Sequence, residues 1–228
     1  VIVNGLNIEV EKKPIKNVHL SVYPPDGRVH ISVPTGYSDS RIQMYVLQKW
    51  IWIEEKRQLL TSYDIQPDRE YISGEAHYFK GDKYRLKVNR MSAGAYAVYI
   101  KGDYIVVNVH QDTTKSNIKQ TLYLWYKEEL TPILERFITK WEALLNVKLG
   151  EWEVRLMASR WGSCSDVKQK AYFNVELAKK PVDCVEYIVA HELIHLIEHN
   201  HTDRFHRLLD TYLPSWQDLK KKLNEFPI

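Results

Sequence analysis

The sequence predicts an α+β protein: an antiparallel β-rich part with one helix over residues 1–112, then a metal-binding α+β part over residues 113–228. Three observations carry this. Short runs that alternate apolar and polar residues, separated by glycine, proline and aspartate, fill residues 1–33 and 69–109. Apolar residues at helical spacing set in near Thr114 and again near Val182. Five of the nine histidines, His191, His195, His199, His201 and His206, crowd into one short C-terminal stretch. That density fits a metal site.

In chain order, the runs LNIEV (6–10), VHLSV (18–22) and VHISV (29–33) alternate like strands, and Pro24-Pro25-Asp26-Gly27 reads as a turn between the last two. The expectation is an antiparallel meander. After Pro34-Thr35-Gly36, Ser38 or Asp39 can cap a helix that runs to about Leu60, with Ile42, Val46, Trp50 and Ile53 on one face. Strands return over 69–109, folded into hairpins by turns at Gly81-Asp82 and Gly102-Asp103. No internal repeat is legible. His30, His77 and His110 have no metal spacing among themselves and read as structural.

A long helix begins near Thr114, and Pro132 either kinks it or splits it, because proline lacks the backbone donor. Strands at 153–157 and 171–175 flank Ser159-Arg160-Trp161-Gly162-Ser163-Cys164-Ser165. The histidine helix is expected over 182–198, with Pro181 at its start. Thr202 can cap a further helix, and Pro214-Ser215 precedes the last one.

Composition limits the partners. Hydrophobic residues at 44% and charged residues at 27% are those of an ordinary globular protein. A net charge of +3 is too slight to argue for nucleic acid, and Lys220, Lys221 and Lys222 read as a solvated helix face. Cys164 and Cys184 form neither a metal-ligand pair of the CxxC kind nor a disulfide framework, although a single bridge is open to them. Nothing reads as a signal peptide, and no apolar run approaches a membrane span. A cytoplasmic protein with no membrane partner is the expectation.

The chemistry lies in HELIH, residues 191–195. Residues four apart share one helix face about 5–6 Å apart, so His191 and His195 can converge on one zinc ion. Glu192 is rotated about 100° from His191, too far to share the ion in the same way, yet close enough to act as general base on a metal-activated water. This is the zincin arrangement. A catalytic zinc usually takes a third protein ligand. His199 would lie about 12 Å along a straight helix from His191, whereas His201 can fold back once the chain turns, with Asn200 the residue most able to take a left-handed conformation.

RWGSCS (160–165), Asn174, Tyr187 and HELIHLIEHNH (191–201) together resemble the YgjP-like metallopeptidase family, relatives of the WLM and SprT zinc proteins. The resemblance spans roughly residues 155–206 and departs from the family pattern at Thr202 and His206, where serine and tryptophan are usual. It implies a zincin-like fold for the second part, His191, His195 and His201 as zinc ligands, and Glu192 as catalytic acid and base. It also implies that Arg160, Trp161 and Ser163 lie close to the site.

Three functions follow as expectations. A metallopeptidase would hold a peptide or protein substrate along a free edge of strand 153–157 or 171–175. Its second oxyanion donor would be Arg160, Tyr172 or Arg204. A phosphohydrolase of nucleoside triphosphates, as proposed for part of the family, would act on a nucleotide and set Arg155, Arg160 or Lys168 against its phosphates. A DNA-associated module would use its zinc structurally and would have no need of Glu192.

Overall fold

The computed structural model describes residues 1–23, 27–62, 69–157 and 160–225. Pro24, Pro25 and Asp26 of the expected first turn, and Ser159, lie outside the described residues. Two compact units result, Val1–Pro67 and Asp68–Ile228.

The first unit begins with β1 (Ile2–Val3), β2 (Leu6–Lys13), β3 (His19–Tyr23) and β4 (Arg28–Pro34), in the spatial order β1-β2-β4-β3. The expected meander is corrected here. β3 does pair antiparallel with β4, but β4 lies between β3 and β2 and runs parallel to β2. Alternation fixes which face a residue takes, and it is silent on which strand lies next to which. Val29, Ile31 and Val33 pack with Ile8, Ile42, Val46 and Ile53 in this unit's core. The expected single helix is two, α1 (Asp39–Gln48) and α2 (Trp50–Ser62). They separate at Lys49, whose backbone N–H is shared between the Tyr45 and Val46 carbonyls at 3.2 and 3.1 Å.

The second unit opens with the same design. β5 (Ala76–Phe79), β6 (Asp82–Met91), β7 (Ala97–Lys101) and β8 (Tyr104–His110) lie in the order β5-β6-β8-β7, again with a parallel central pair. Each sheet starts with a tight two-residue turn in left-handed conformation, Asn4-Gly5 (φ 47° and 80°) and Lys80-Gly81 (φ 52° and 93°). This is the hairpin geometry that matches strand twist. Each sheet ends in a hydroxyl-capped helix: Ser38 accepts from the Arg41 N–H, and Thr114 from the Asn117 N–H. The same number of residues separates Asn4 from Lys80, Ser38 from Thr114, and Ile42 from Ile118. The chain therefore contains an internal repeat that the sequence reading missed, because the copies share strand order and turn geometry rather than side chains.

After β8 comes α3 (Lys115–Leu145), which runs unbroken through Pro132 and stops where Asn146 turns left-handed at φ 52°. There follow β9 (Glu151–Arg155), β10 (Gly162–Ser165) and β11 (Lys170–Asn174), a 3-10 turn over Val175–Lys179, and α4 (Val182–Ile194), α5 (Asp203–Tyr212) and α6 (Trp216–Glu225). β11 is central, parallel to β9 and antiparallel to β10. Leu130, Leu134, Phe137, Ile138 and Trp141 of α3 share one core with α4 and with Leu86, Ile105 and Val107 of the preceding sheet. No helix among the described residues is long and apolar enough to cross a membrane.

Candidate metal centre

α4 brings the first two histidines together and is itself almost wholly buried, with Val185, Ile188, Val189, Leu193 and Ile194 in the core. It ends at Ile194, earlier than the expected residue 198. His195 is the C-cap, and the Ile197 and Glu198 N–H groups both bond back to the Ile194 carbonyl at 2.9 Å. This tight right-handed turn reverses the chain, and Asn200 is not among the residues with positive φ. Thr202 then starts α5 by accepting the Phe205 N–H at 3.4 Å, which leaves His201 just before the helix.

The result is a three-imidazole cluster. The His191 and His201 Nε2 atoms are 3.0 Å apart, and one nitrogen from each of His191, His195 and His201 lies within 4.8 Å of the others. Four donors at 2.0–2.1 Å from a tetrahedral ion would be about 3.3 Å from one another. The ring centroids are 5.0 Å apart for His191 and His195, and 4.9 Å for each pair that includes His201. Phe205 lies 4.9 Å from the His191 ring and 4.8 Å from each of the other two, as an apolar floor. His195 Nδ1 meets the Glu198 carbonyl at 3.2 Å, which fixes its proton there and leaves Nε2 as an acceptor. Burial, then the neighbouring His195 and His201, push the pKa of His191 down to about 3. Burial likewise lowers those of His195 and His201. All three are thus held neutral, the state in which imidazole binds a metal, and the donor set fits zinc.

Glu192 is buried beside β10. Burial raises its carboxyl to about 8, against the pull of the Arg160 guanidinium and of a hydrogen bond from the Cys164 N–H. Gly162 makes room for it: a Cβ on Gly162 would lie 2.5 Å from Glu192 Oε1. Gly162–Ser165, expected to lie between two strands, is therefore itself a strand packed on the carboxylate. Its register leaves the Gly162 and Cys164 backbone groups pointing away from β11, since the Asn174 N–H bonds to the Trp161 carbonyl at 2.9 Å and the bonded pairs alternate from there.

The other expected residues divide. Asn174 clamps the approach to β10, its Nδ2 donating to the Met157 and Arg160 carbonyls at 2.9 and 2.8 Å. Trp161 is partly buried against the core, with Lys180 Nζ 4.8 Å from its ring centre, and reads as a wall. Tyr172 is not brought to the triad. It shares a sheet face with Ser163, opposite to Gly162 and Cys164, and Arg155 stacks on it at 3.6 Å. That contact also turns Arg155 away. Arg204 pairs with Glu198 at 3.8 Å on the outside of the histidine turn. His199 is exposed and faces Asp166 at 3.4 Å, and His206 packs against Trp216. Both cysteines are free, so the possible bridge does not form. Burial pushes the Cys164 thiol up to about 12. Sequence reasoning missed Phe205 as the floor and the Cys164 N–H as a partner of Glu192. The glycine next to Trp161 was the available signal for the close approach.

The family described as YgjP-like, metallopeptidase domain, matches residues 16–226. No curated protein matches the chain. Among solved structures it is similar to the metallopeptidase zymogen of Pyrococcus abyssi abylysin, at 16% identity and a TM-score of 0.37 over 40% of this chain and 90% of that one. It is also similar to the metallopeptidase zymogen of Methanocaldococcus jannaschii jannalysin, at 21% identity and a TM-score of 0.36 over 40% of this chain and 92% of that one.

Proposed function

The chain belongs to the YgjP-like metallopeptidase family, and from that premise we propose that it is a zinc-dependent peptidase in which His191, His195 and His201 hold the metal and Glu192 is the general base. The observation that carries this reading is the convergence of three neutral imidazoles beside a buried carboxylate. When bound, zinc supplies a Lewis acid that makes water acidic enough to lose a proton near neutral pH. Glu192 accepts that proton at its carboxylate and returns it to the leaving amine. The Cys164 N–H holds the carboxylate in place.

β10 is the strand offered to an extended substrate. Among the described residues β11 is its single strand neighbour, and the outward Gly162 N–H and C=O and the Cys164 C=O can pair with a peptide backbone. The strands expected to serve were 153–157 and 171–175, and β11 is interior to its sheet. Arg160 remains the cation that acts on Glu192. Arg155, one of the three cations expected to face a nucleotide's phosphates, is instead stacked on Tyr172, and a peptide is the better fit.

The test is turnover of a peptide library by zinc-loaded protein, with Glu192→Gln in parallel. Cleavage that depends on both zinc and Glu192 supports the reading. Nucleotide hydrolysis without peptide cleavage overturns it.

A further inference from the structure

The sheet β5-β6-β8-β7 buries one face on α3, and its other face carries exposed charged and aromatic side chains around a buried Val106. Leu86, Val88, Ile105, Val107 and Val98 point inward, so their alternates point outward. Two cross-strand rows of that outer face follow from the register. Tyr104 lies between Arg85 and Lys101, and Val106 lies between Lys87 and Tyr99. Lys83 extends the face along β6. The four cations Lys83, Arg85, Lys87 and Lys101 are exposed and form no side-chain ion pair among the described residues. Tyr99 and Tyr104 are 42% and 43% exposed. The single acidic strand residue, Asp82, alternates to the opposite side.

The internal repeat supplies a comparison from the same chain. Counted along the chain from the turn glycines Gly5 and Gly81, Glu9 and Glu11 of β2 correspond to Arg85 and Lys87 of β6, with the pairing to the parallel neighbour shifted by two residues between the sheets. In the first sheet those carboxylates neutralise the face: Arg28 lies 3.6 Å from Glu9, while His30 and Lys13 lie 3.3 and 2.7 Å from Glu11. In the second sheet both positions carry a cation. A chain-wide balance of +3 conceals this, because net charge averages over faces.

We propose that the outer face of β5-β6-β8-β7 binds single-stranded nucleic acid, with Arg85, Lys87, Lys83 and Lys101 along the phosphates and Tyr99 and Tyr104 stacking on bases. Unpaired cations complement a polyanion, and open tyrosine rings between them add what a polyanion without planar groups cannot use. Tyr99 and Tyr104 are diagonal neighbours on adjacent strands, about 7–8 Å apart, so each can hold one of two splayed bases. A duplex keeps its bases stacked inside and gains only the charge term.

The experiment titrates full-length, zinc-loaded protein into a labelled oligouridylate of about 16 nucleotides, the upper site size for a small domain. A duplex of equal length, polyglutamate and anionic phospholipid vesicles are run alongside. The single strand should bind most tightly, with log affinity falling against log salt at a slope of about −3, as four phosphate contacts require. Arg85→Glu with Lys87→Glu restores the charge pattern of the first sheet and should weaken binding at least tenfold. Tyr99→Ala with Tyr104→Ala should weaken the single strand at least fivefold and leave the duplex unchanged. Zinc content and melting temperature should stay constant, since all four residues are exposed. Absence of oligonucleotide binding at low salt, tyrosine variants that bind as well as the parent, or tighter binding of polyglutamate or vesicles would each overturn the proposal.

Discussion

Gly162 lies against Glu192 so closely that a Cβ on the glycine would sit 2.5 Å from Oε1 and 2.7 Å from Cγ. Both contacts are well inside van der Waals distance, and no rotation of a methyl relieves them. Gly162→Ala must therefore displace either the carboxylate or β10. The cost should be about 1–3 kcal/mol in stability, the usual range for overpacking. Peptide turnover should fall at least tenfold with zinc content unchanged, as read by kcat and by metal analysis. An alanine variant with parental kcat would show that the carboxylate has slack.

The metal ligands are tested by a pair of substitutions. His201→Ala removes one corner of the imidazole triangle and should weaken zinc affinity by about 100-fold or more, measured by competition with a chelator. His199→Ala removes an exposed ring that faces Asp166 and should leave affinity unchanged. Equal losses in the two variants would dismiss His201 as a ligand.

Glu192→Gln keeps the volume of the side chain and can still accept from the Cys164 N–H. It cannot take a proton from water. Zinc content should be parental while kcat falls by about 100-fold to 10,000-fold, the range for loss of a general base. Retained turnover would assign the base elsewhere.

His77, like His191, is an imidazole held neutral by burial that makes the second unit sensitive to acid. It is 1% exposed, neither ring nitrogen finds a hydrogen-bond partner among the described residues, and Glu75 at 3.5 Å does not accept from it. Burial, then the Arg69 and Lys179 charges, push its pKa down to about 3. The folded state thus holds the neutral ring, and the unfolded chain takes up its proton near pH 6.5. The resulting stability is complete above that pH and is lost as pH falls toward 3, amounting to about 2 kcal/mol by pH 5. His77→Gln should flatten this part of the stability–pH curve in urea titrations. A curve that keeps its slope in the variant would shift the effect to other groups.

The parts of this molecule that were legible in the sequence are those set by local chemistry. HELIH brought two imidazoles to one helix face because i to i+4 spacing is a property of one helix, and Thr114 and Thr202 marked real helix starts because a hydroxyl satisfies a free N–H. What depends on distant partners was not legible. The parallel pairing of β2 with β4 and of β6 with β8 joins strands separated by a third, and alternation carries no record of that order. β10 is four residues of glycine, serine and cysteine, without the β-branched side chains that announce a strand. Its identity comes from β11 on one side and Glu192 on the other. Tyr172 looked suitable as an oxyanion donor by composition, and a single step of register turned it to the far face.

Phe205 has a consequence for how fast a metal could leave. His201 lies just before α5 and Phe205 within its first turn, and the Thr202 cap fastens both to the same helix start. Fraying of that turn withdraws His201 and opens the apolar floor in one event. Metal release should then follow the opening rate of the α5 end, with a steep temperature dependence and a plateau at high chelator concentration. Thr202→Ala should raise the plateau while changing the equilibrium affinity far less than His201→Ala does.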